Sequence, residues 1–221
     1  MKNVNVVKTP VVEDLITKLR DVDTNSELFR IYLDRITKLL LYEAMVDLKM
    51  AKASVLTQTG TKYAGKRIGE KVAFIAILRA SLGMLSSAMD FYPNGEFHVL
   101  GMKRNEEDPY KKEPHFYLDR LHEMGTVDCV IVMDPMLATG KSMICALQAI
   151  REKHKFEGRI QVISLICAAT GAQSVIKKFP SITITCAGLD QELNKNAYII
   201  PGLGDAGDRL FGIHTDLRSI R

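Results

Sequence analysis

One stretch near the middle of the chain, Cys129 to Ser142 (CVIVMDPMLATGKS), concentrates residue types that bind phosphate. An apolar run that reads as a buried strand leads into Asp134, and a helix is expected to begin near Ser142. In a parallel α/β sheet, ligands collect off the carboxyl ends of strands and at helix N-termini, where main-chain N–H groups lack partners. Ala138, Thr139, Gly140, Lys141 and Ser142 offer successive N–H groups and two hydroxyls, and Gly140 lets the backbone approach closely. Asp134 stands at the rim, where a carboxylate suits ribose hydroxyls or a hydrated Mg²⁺. The Gly140-Lys141-Ser142 tripeptide is not a nucleoside-triphosphate P-loop, because that pattern has glycine five residues before Gly140 and the position holds Pro135. Asp-Pro and Thr-Gly are also common turn dipeptides, so the segment alone leaves an ordinary strand-to-helix turn open.

Arg79 follows directly on Val72 to Leu78, the longest strictly apolar stretch, and so stands at a strand's carboxyl end. Its guanidinium offers the planar donor fork that phosphate oxygens accept, the alternative being a surface ion pair. Two further segments interrupt the regular pattern, and function concentrates in such segments on a rigid scaffold. Lys103 to Gly125 is charged and contains Pro109 and Pro114, which suggests a mobile hood over a site; Asn194 to Gly212 is dense in glycine and aspartate. Cys129, Cys145, Cys167 and Cys186 lie in apolar surroundings without a Cys-x-x-Cys pair and read as reduced core thiols. Among the histidines only His115 and His122 are near one another, at a spacing that fits no common ligand pattern, so no structural metal is expected.

The elements that must position these residues fall into two regimes. Val11, Val12, Leu15, Ile16 and Leu19 follow helical spacing, and Leu28, Ile31, Tyr32, Leu39, Leu40 and Val46 extend an apolar stripe through a longer helix, so residues 1–50 read as a helical part. From Lys71 onward VAFIAIL, FHVLGM, CVIVM, IQVISLICA and ITITCAG are short β-rich runs without alternation, as expected for strands buried on both faces. Helices are expected between them over Gly83 to Phe91, Ser142 to Lys155 and Ala172 to Phe179. The spacing therefore predicts one α/β domain over residues 1–221: a mainly parallel twisted sheet flanked by helices, with a hood over 103–125.

Apolar residues make up 47% and charged residues 25% of the 221, a balance that excludes collagenous and wholly disordered classes. No apolar run approaches the roughly 18 to 20 residues of a membrane span. Lys2, Asn3 and Asn5 stand where a secretion signal would carry its basic-to-apolar transition, so a cytoplasmic protein is expected. The net charge of +4 is spread over alternating signs without a basic stripe, which disfavours nucleic acid and leaves phosphate-bearing small molecules open.

Asp134 to Gly140, Asp-Pro-Met-Leu-Ala-Thr-Gly, resembles the phosphoribosyl pyrophosphate (PRPP) loop of phosphoribosyltransferases in the form used by the uracil branch of the type I family. Asn196 to Gly212 (NAYIIPGLGDAGDRLFG) is similar to that branch's uracil-recognition segment, which here spans about 190–213. Ile77 to Met84 (ILRASLGM) resembles its arginine turn, and Leu41 to Leu48 (LYEAMVDL) part of its long N-terminal helix. Together the matches run from about Pro10 to Ile213.

The resemblance implies a phosphoribosyltransferase fold and the conversion of uracil and PRPP to UMP and pyrophosphate, in pyrimidine salvage. It implies PRPP contacts at Arg79, Arg104, Asp134, Pro135, Met136, Leu137, Ala138, Thr139, Gly140, Lys141, Ser142 and Asp205, with Arg104 on a flexible loop. Uracil contacts are implied at Tyr198, Ile199, Gly204, Asp205 and Ala206, and catalytic roles at Asp205 and Arg104. Asp208 and Arg209 are expected to pair and brace the loop, the alternative for Asp205 and Asp208 being turn capping. Mg²⁺ is implied as a cofactor carried by PRPP, with no direct protein ligand. A homodimer or homotetramer and a GTP effector are further implications. Three positions depart from the family pattern: Ser81 and Lys141 replace glycines, the first a concern if that residue needs positive φ, and Ala169-Thr170-Gly171 replaces a proline-glutamate pair. A non-catalytic uracil or PRPP sensor is the competing reading.

Overall fold

The apolar runs become the centre of an eight-stranded sheet in a computed structural model of the chain, which describes residues 2–103, 110, 112–122 and 124–213. In chain order the elements are β1 (Val4–Val6), α1 (Pro10–Arg20), α2 (Ser26–Ala44), β2 (Met50–Leu56), β3 (Lys62–Ile68), β4 (Val72–Leu78), α3 (Leu82–Phe91), β5 (Glu96–Lys103), β6 (His115–Arg120), β7 (Cys129–Met133), β8 (Met136–Leu137), α4 (Lys141–Gln148), β9 (Arg159–Ala168), α5 (Ala169–Lys178), β10 (Thr183–Asp190), β11 (Glu192–Leu193), β12 (Ile199–Ile200) and α6 (Ala206–Phe211). Helix α4 runs on into a wide π-helical turn over Ala149–Lys153. The strand order is β1-β10-β9-β7-β4-β5-β6, with β8 added beside β9; every pairing is parallel except β5 with β6.

Both faces of the sheet are covered, which is why its strands lack polar alternation. Val72, Phe74 and Ala76 of β4 join Phe29, Leu33, Ile36 and Leu40 of α2 in one apolar cluster. Ala73, Ile75 and Ile77 join Met143, Ala146 and Leu147 of α4 and Val175 of α5 in a second. The N-terminal helices carry their own start signals. Thr9 accepts a bond from the Val12 N–H ahead of Pro10, and Asn25 accepts one from Leu28 at 2.9 Å.

The structure corrects several expectations. The N-terminal part is not wholly helical: β1 pairs with β10, adding a parallel strand too short to show a period in the sequence. The buried face of α2 is Phe29, Leu33, Ile36, Leu40 and Leu41, one register away from the stripe expected; Leu28, Ile31 and Val46 are exposed. Helices α3, α4 and α5 begin one to three residues earlier than their apolar spacing suggests, because their first turns carry loop residues. The antiparallel hairpin β2–β3 was not expected, and β6 occupies part of the proposed hood as an edge strand on β5. Residues 104–109, 111 and 123 of the hood lie outside the described residues. All four cysteines are buried and free, and burial pushes the Cys129 and Cys145 thiols up, consistent with unreactive core groups.

His98 on β5 is 5% exposed and its Nε2 has no hydrogen-bond partner, with the Glu96 carboxylate 3.7 Å away and the His122 ring centroid at 6.0 Å. Burial lowers its pKa; Glu96 opposes that shift and His122 adds to it. The unfolded chain therefore binds this proton more readily than the folded one. Stability is full above the ordinary histidine value of 6.5 and falls as the pH drops below it. Denaturant midpoints measured through that range should decline in the parent protein and decline less in His98→Leu.

Candidate active site

The register of the central strands brings two loops to one edge of the sheet. Ala76 of β4 aligns with Met133 of β7, which aligns with Ile163 of β9, so the turn after β4 and the loop after β7 emerge side by side. The second loop is anchored along its length. The Asp134 N–H donates to the Ile163 carbonyl at 3.2 Å, the Pro135 carbonyl accepts from the Ile166 N–H at 3.1 Å, and Met136 and Leu137 pair with β9. Gly140 then takes φ +82, closing the loop onto α4, whose first intrahelical bond runs from the Ile144 N–H to the Gly140 carbonyl at 2.8 Å. The N–H groups ahead of it in the first turn have no intrahelical acceptor; that of Lys141 reaches the Thr139 hydroxyl oxygen at 3.4 Å, and those of Ser142 and Met143 are placed to meet an anion.

This loop is locked against α5 by two glycines. A Cβ on Gly171 would lie 2.0 Å from the Ala138 carbonyl oxygen, and one on Gly140 would lie 2.7 Å from the Gly171 carbonyl oxygen. The Ala169-Thr170-Gly171 departure therefore has a packing reason: only a residue without a side chain admits the loop at that distance.

The arginine turn is held by its own serine. Ser81 is fully buried, and its hydroxyl donates to the Ile77 carbonyl, while the Leu82 N–H donates to the Arg79 carbonyl at 3.1 Å. Its φ is −83, so the condition under which a serine would strain the turn, a positive φ, is not met. The Leu78–Arg79 peptide is cis. Arg79 sits with its guanidinium carbon 5.7 Å from the Phe211 ring centroid of α6, which ties the turn to the C-terminal segment.

That segment is built around main-chain turns. The Asn194 side chain accepts bonds from the Asn196 and Tyr198 N–H groups at 2.9 and 3.0 Å, Gly202 and Gly204 take φ +61 and +80, and the Ile200–Pro201 peptide is cis. Asp205 caps α6, accepting the Asp208 N–H at 2.9 Å. Arg209 braces the segment as expected, through carbonyls: it donates to those of Leu19, Leu203, Asp21 and Thr24, and it lies 4.5 Å from the Phe29 ring centroid.

These pieces surround one cleft of about 740 Å³, within the range of small-ligand sites. Of the residues named from the sequence, Arg79, Asp134, Met136, Ala138, Thr139, Lys141, Ser142, Tyr198, Ile199, Gly204, Asp205 and Ala206 line it. Leu137 and Gly140 line a small hollow inside the loop instead. Pro135 lines neither, being turned into the sheet edge where its carbonyl serves Ile166. Arg104 lies outside the described residues. The structure adds Lys103, Lys112, Tyr117 and Asn196 to the walls. Sequence analysis placed these lysines in the charged hood segment without giving them a ligand role; their position within that charged, proline-containing stretch was the available signal. Lys141, whose charge was expected to aid or obstruct phosphate, reaches across the mouth and donates to the Lys112 carbonyl at 3.0 Å.

A concave loop at a helix N-terminus facing an arginine turn across the carboxyl edge of a parallel sheet defines the phosphoribosyltransferase class. A family model described as uracil phosphoribosyltransferase matches residues 6–213. Proteins named uracil phosphoribosyltransferase from Campylobacter concisus and Limosilactobacillus reuteri are 38% and 35% identical, each match covering 96% of this chain and 99% of the relative. A solved structure titled "Structure of AQ2163 protein from Aquifex aeolicus" is 34% identical with a TM-score of 0.88, covering 96% of this chain and all of that one. The chain belongs to the uracil phosphoribosyltransferase family and is a transferase.

Gly171→Ala should displace the loop. We expect the KM for PRPP to rise by as much as about a hundredfold, the scale of a 1 Å misplacement, with a smaller change in the KM for uracil; steady-state kinetics with each substrate varied in turn checks this.

Proposed function

We propose that this cleft converts uracil and PRPP to UMP and pyrophosphate. The observation that carries the reading is that one cavity is lined both by Ala138, Thr139, Lys141 and Ser142 of the candidate anion-binding loop and by Ile199 and Gly204 to Ala206. The 5′-phosphate belongs against the N–H groups and hydroxyls of the loop, the ribose hydroxyls against Asp134, and the pyrophosphate toward Arg79, with Arg104 as a further contact. Uracil presents two carbonyl acceptors and ring N–H donors, a pattern that main-chain groups of the glycine-rich wall can read. An amino group in place of a uracil carbonyl would leave a donor facing a donor, a mismatch of a few kcal/mol that excludes cytosine.

The reaction breaks the bond from the ribose anomeric carbon to pyrophosphate and forms one to the uracil ring nitrogen, whose proton must leave. Alignment of the two substrates in one cleft supplies much of the acceleration, on the order of 7 to 11 kcal/mol for well-oriented reactants. Asp205 is our candidate to accept the proton or stabilise the cation-like ribosyl centre. Asp134 and Asp205 line the cleft and provide oxygen donors of the kind Mg²⁺ prefers, beside a PRPP that would carry the ion in. Bound in that way, Mg²⁺ would neutralise charge on the leaving pyrophosphate.

We further propose a cytoplasmic homodimer or homotetramer. Support for association comes from the apolar side chains left exposed on α2 and the β2–β3 hairpin, among them Leu28, Ile31, Met50, Leu56 and Tyr63. No helix among the described residues is long and apolar enough to cross a membrane. GTP as an effector rests on the family resemblance alone.

Incubating the protein with Mg²⁺, PRPP and labelled uracil should yield UMP; substrate binding without product would instead favour the sensor. Asp205→Asn is a clean second test, because asparagine can still cap α6. It should lower kcat by about 10² to 10⁴ while leaving UMP affinity nearly intact, and an unchanged turnover would remove Asp205 from the mechanism.

A further inference from the structure

Main chain proposed to read the base must be held in place, and a partly buried ion pair outside the cleft is arranged to do so. Arg20 ends α1 and Asp190 ends β10, 170 residues later. Arg20 Nη1 and Nη2 donate to Asp190 Oδ2 and Oδ1 at 2.8 and 2.7 Å, a two-pronged pairing with the Asp190 side chain only 8% exposed. Arg20 Nη1 also donates to the Gly202 carbonyl at 2.7 Å, and the Gly202 N–H donates to Asp190 Oδ2 at 2.9 Å. Both main-chain polar groups of Gly202 are thus taken by the one pair.

Gly202 lies between two stretches of the base-facing wall, Ile199 on one side and Gly204 to Ala206 on the other, and does not itself line the cleft. Its φ is +61, and a Cβ there would lie 2.1 Å from the Ile199 carbonyl oxygen, so it is the tight point of the turn. The β10 strand makes room for the pair: a Cβ on Gly188 would meet Arg20 Nη2 at 2.9 Å. Burying opposite charges seldom stabilises a fold more than apolar packing of the same volume, so geometry is the better explanation for this arrangement.

We infer that Arg20 and Asp190 are positioning residues for the pyrimidine, fixing through Gly202 the main-chain groups that read it. The inference rests on the proposed placement of uracil against Ile199 and Gly204 to Ala206. Arg20→Lys keeps the charge but loses the fork, and Asp190→Asn keeps the shape but loses the charge. In each, the KM for uracil should rise about tenfold or more while the KM for PRPP stays within about twofold, the loss expected for a charge-assisted hydrogen bond. The double variant should be little worse than the worse single one, since both act through Gly202. Thermal melts of each variant confirm a folded population.

Ala206→Leu, which places bulk in the wall itself, tests the underlying placement. If Ala206→Leu raises the KM for uracil but Arg20→Lys and Asp190→Asn do not, the clamp is overturned and the base site stands. If Ala206→Leu leaves that KM unchanged, the base site and the clamp fail together. Equal rises for uracil and PRPP in the clamp variants would mark a general brace and also overturn the inference.

Discussion

Everything at the site depends on how β4, β7 and β9 are aligned. Because Ala76, Met133 and Ile163 share one row of the sheet, the arginine turn and the candidate phosphate loop leave neighbouring strands within two residues of the same height. A shift of one residue in either pairing would turn apolar side chains to the wrong cluster, so the alignment is enforced by both layers of core at once. The short strand β8 then extends the grip of β9 into the loop, which is why a segment that must present its N–H groups to a ligand is otherwise almost fully bonded to the sheet. A rigid loop loses little freedom when it binds phosphate, and that is the condition for using the binding energy on alignment.

The two ends of the cleft use different chemistry for different demands. Arg79, Lys103, Lys112 and Lys141 put four cationic residues along the cleft, where the proposed placement sets the phosphate groups. Charge is effective there because it need not discriminate among partners by shape. The opposite end uses main chain drawn through Gly202 and Gly204, whose positive φ values fold the backbone so tightly that its own polar groups form the wall. Main-chain donors and acceptors hold a fixed pattern only if the backbone cannot relax. The bonds that Arg209 makes to Leu203 and to the carbonyls following α1 show how much of the N-terminal region is committed to that task.

The strands were legible because burial on both faces leaves an uninterrupted apolar run, as in Val72–Leu78 and Cys129–Met133. The hairpin β2–β3 was not, since most of its side chains are exposed and its composition, MAKASVL against KYAGKRI, shows no buried face to give a period. In α2, the spacing of Leu28 and Ile31 is as helical as that of Phe29 and Leu33, and nothing in one sequence says which stripe meets the sheet. At the site, the loop and the glycine-rich tail could be named from residue types, whereas Lys103 and Lys112 could not, because a lysine facing a ligand and one facing water look alike until the cleft exists. The fit between Gly171 and Ala138 is a tertiary contact with no local signature at all.

The departures from the family pattern are best understood as local exchanges of one physical solution for another. At Ser81 the backbone occupies an ordinary region of φ, so a side chain is tolerated, and its hydroxyl supplies a donor to the Ile77 carbonyl just beyond the last residue of β4 that pairs with β7. The serine thereby ties the arginine turn back to the end of β4 through a buried hydrogen bond. Gly171 gives up a side chain and in return admits the phosphate loop against α5. Lys141 adds a cation at the start of α4, where it would disfavour the helix by its charge alone but gains a carbonyl partner across the mouth at Lys112 and an anionic substrate within reach. Each change is made at a backbone position whose dihedrals or spacing permit it, so side chains at the site can vary while its geometry is carried by the sheet beneath.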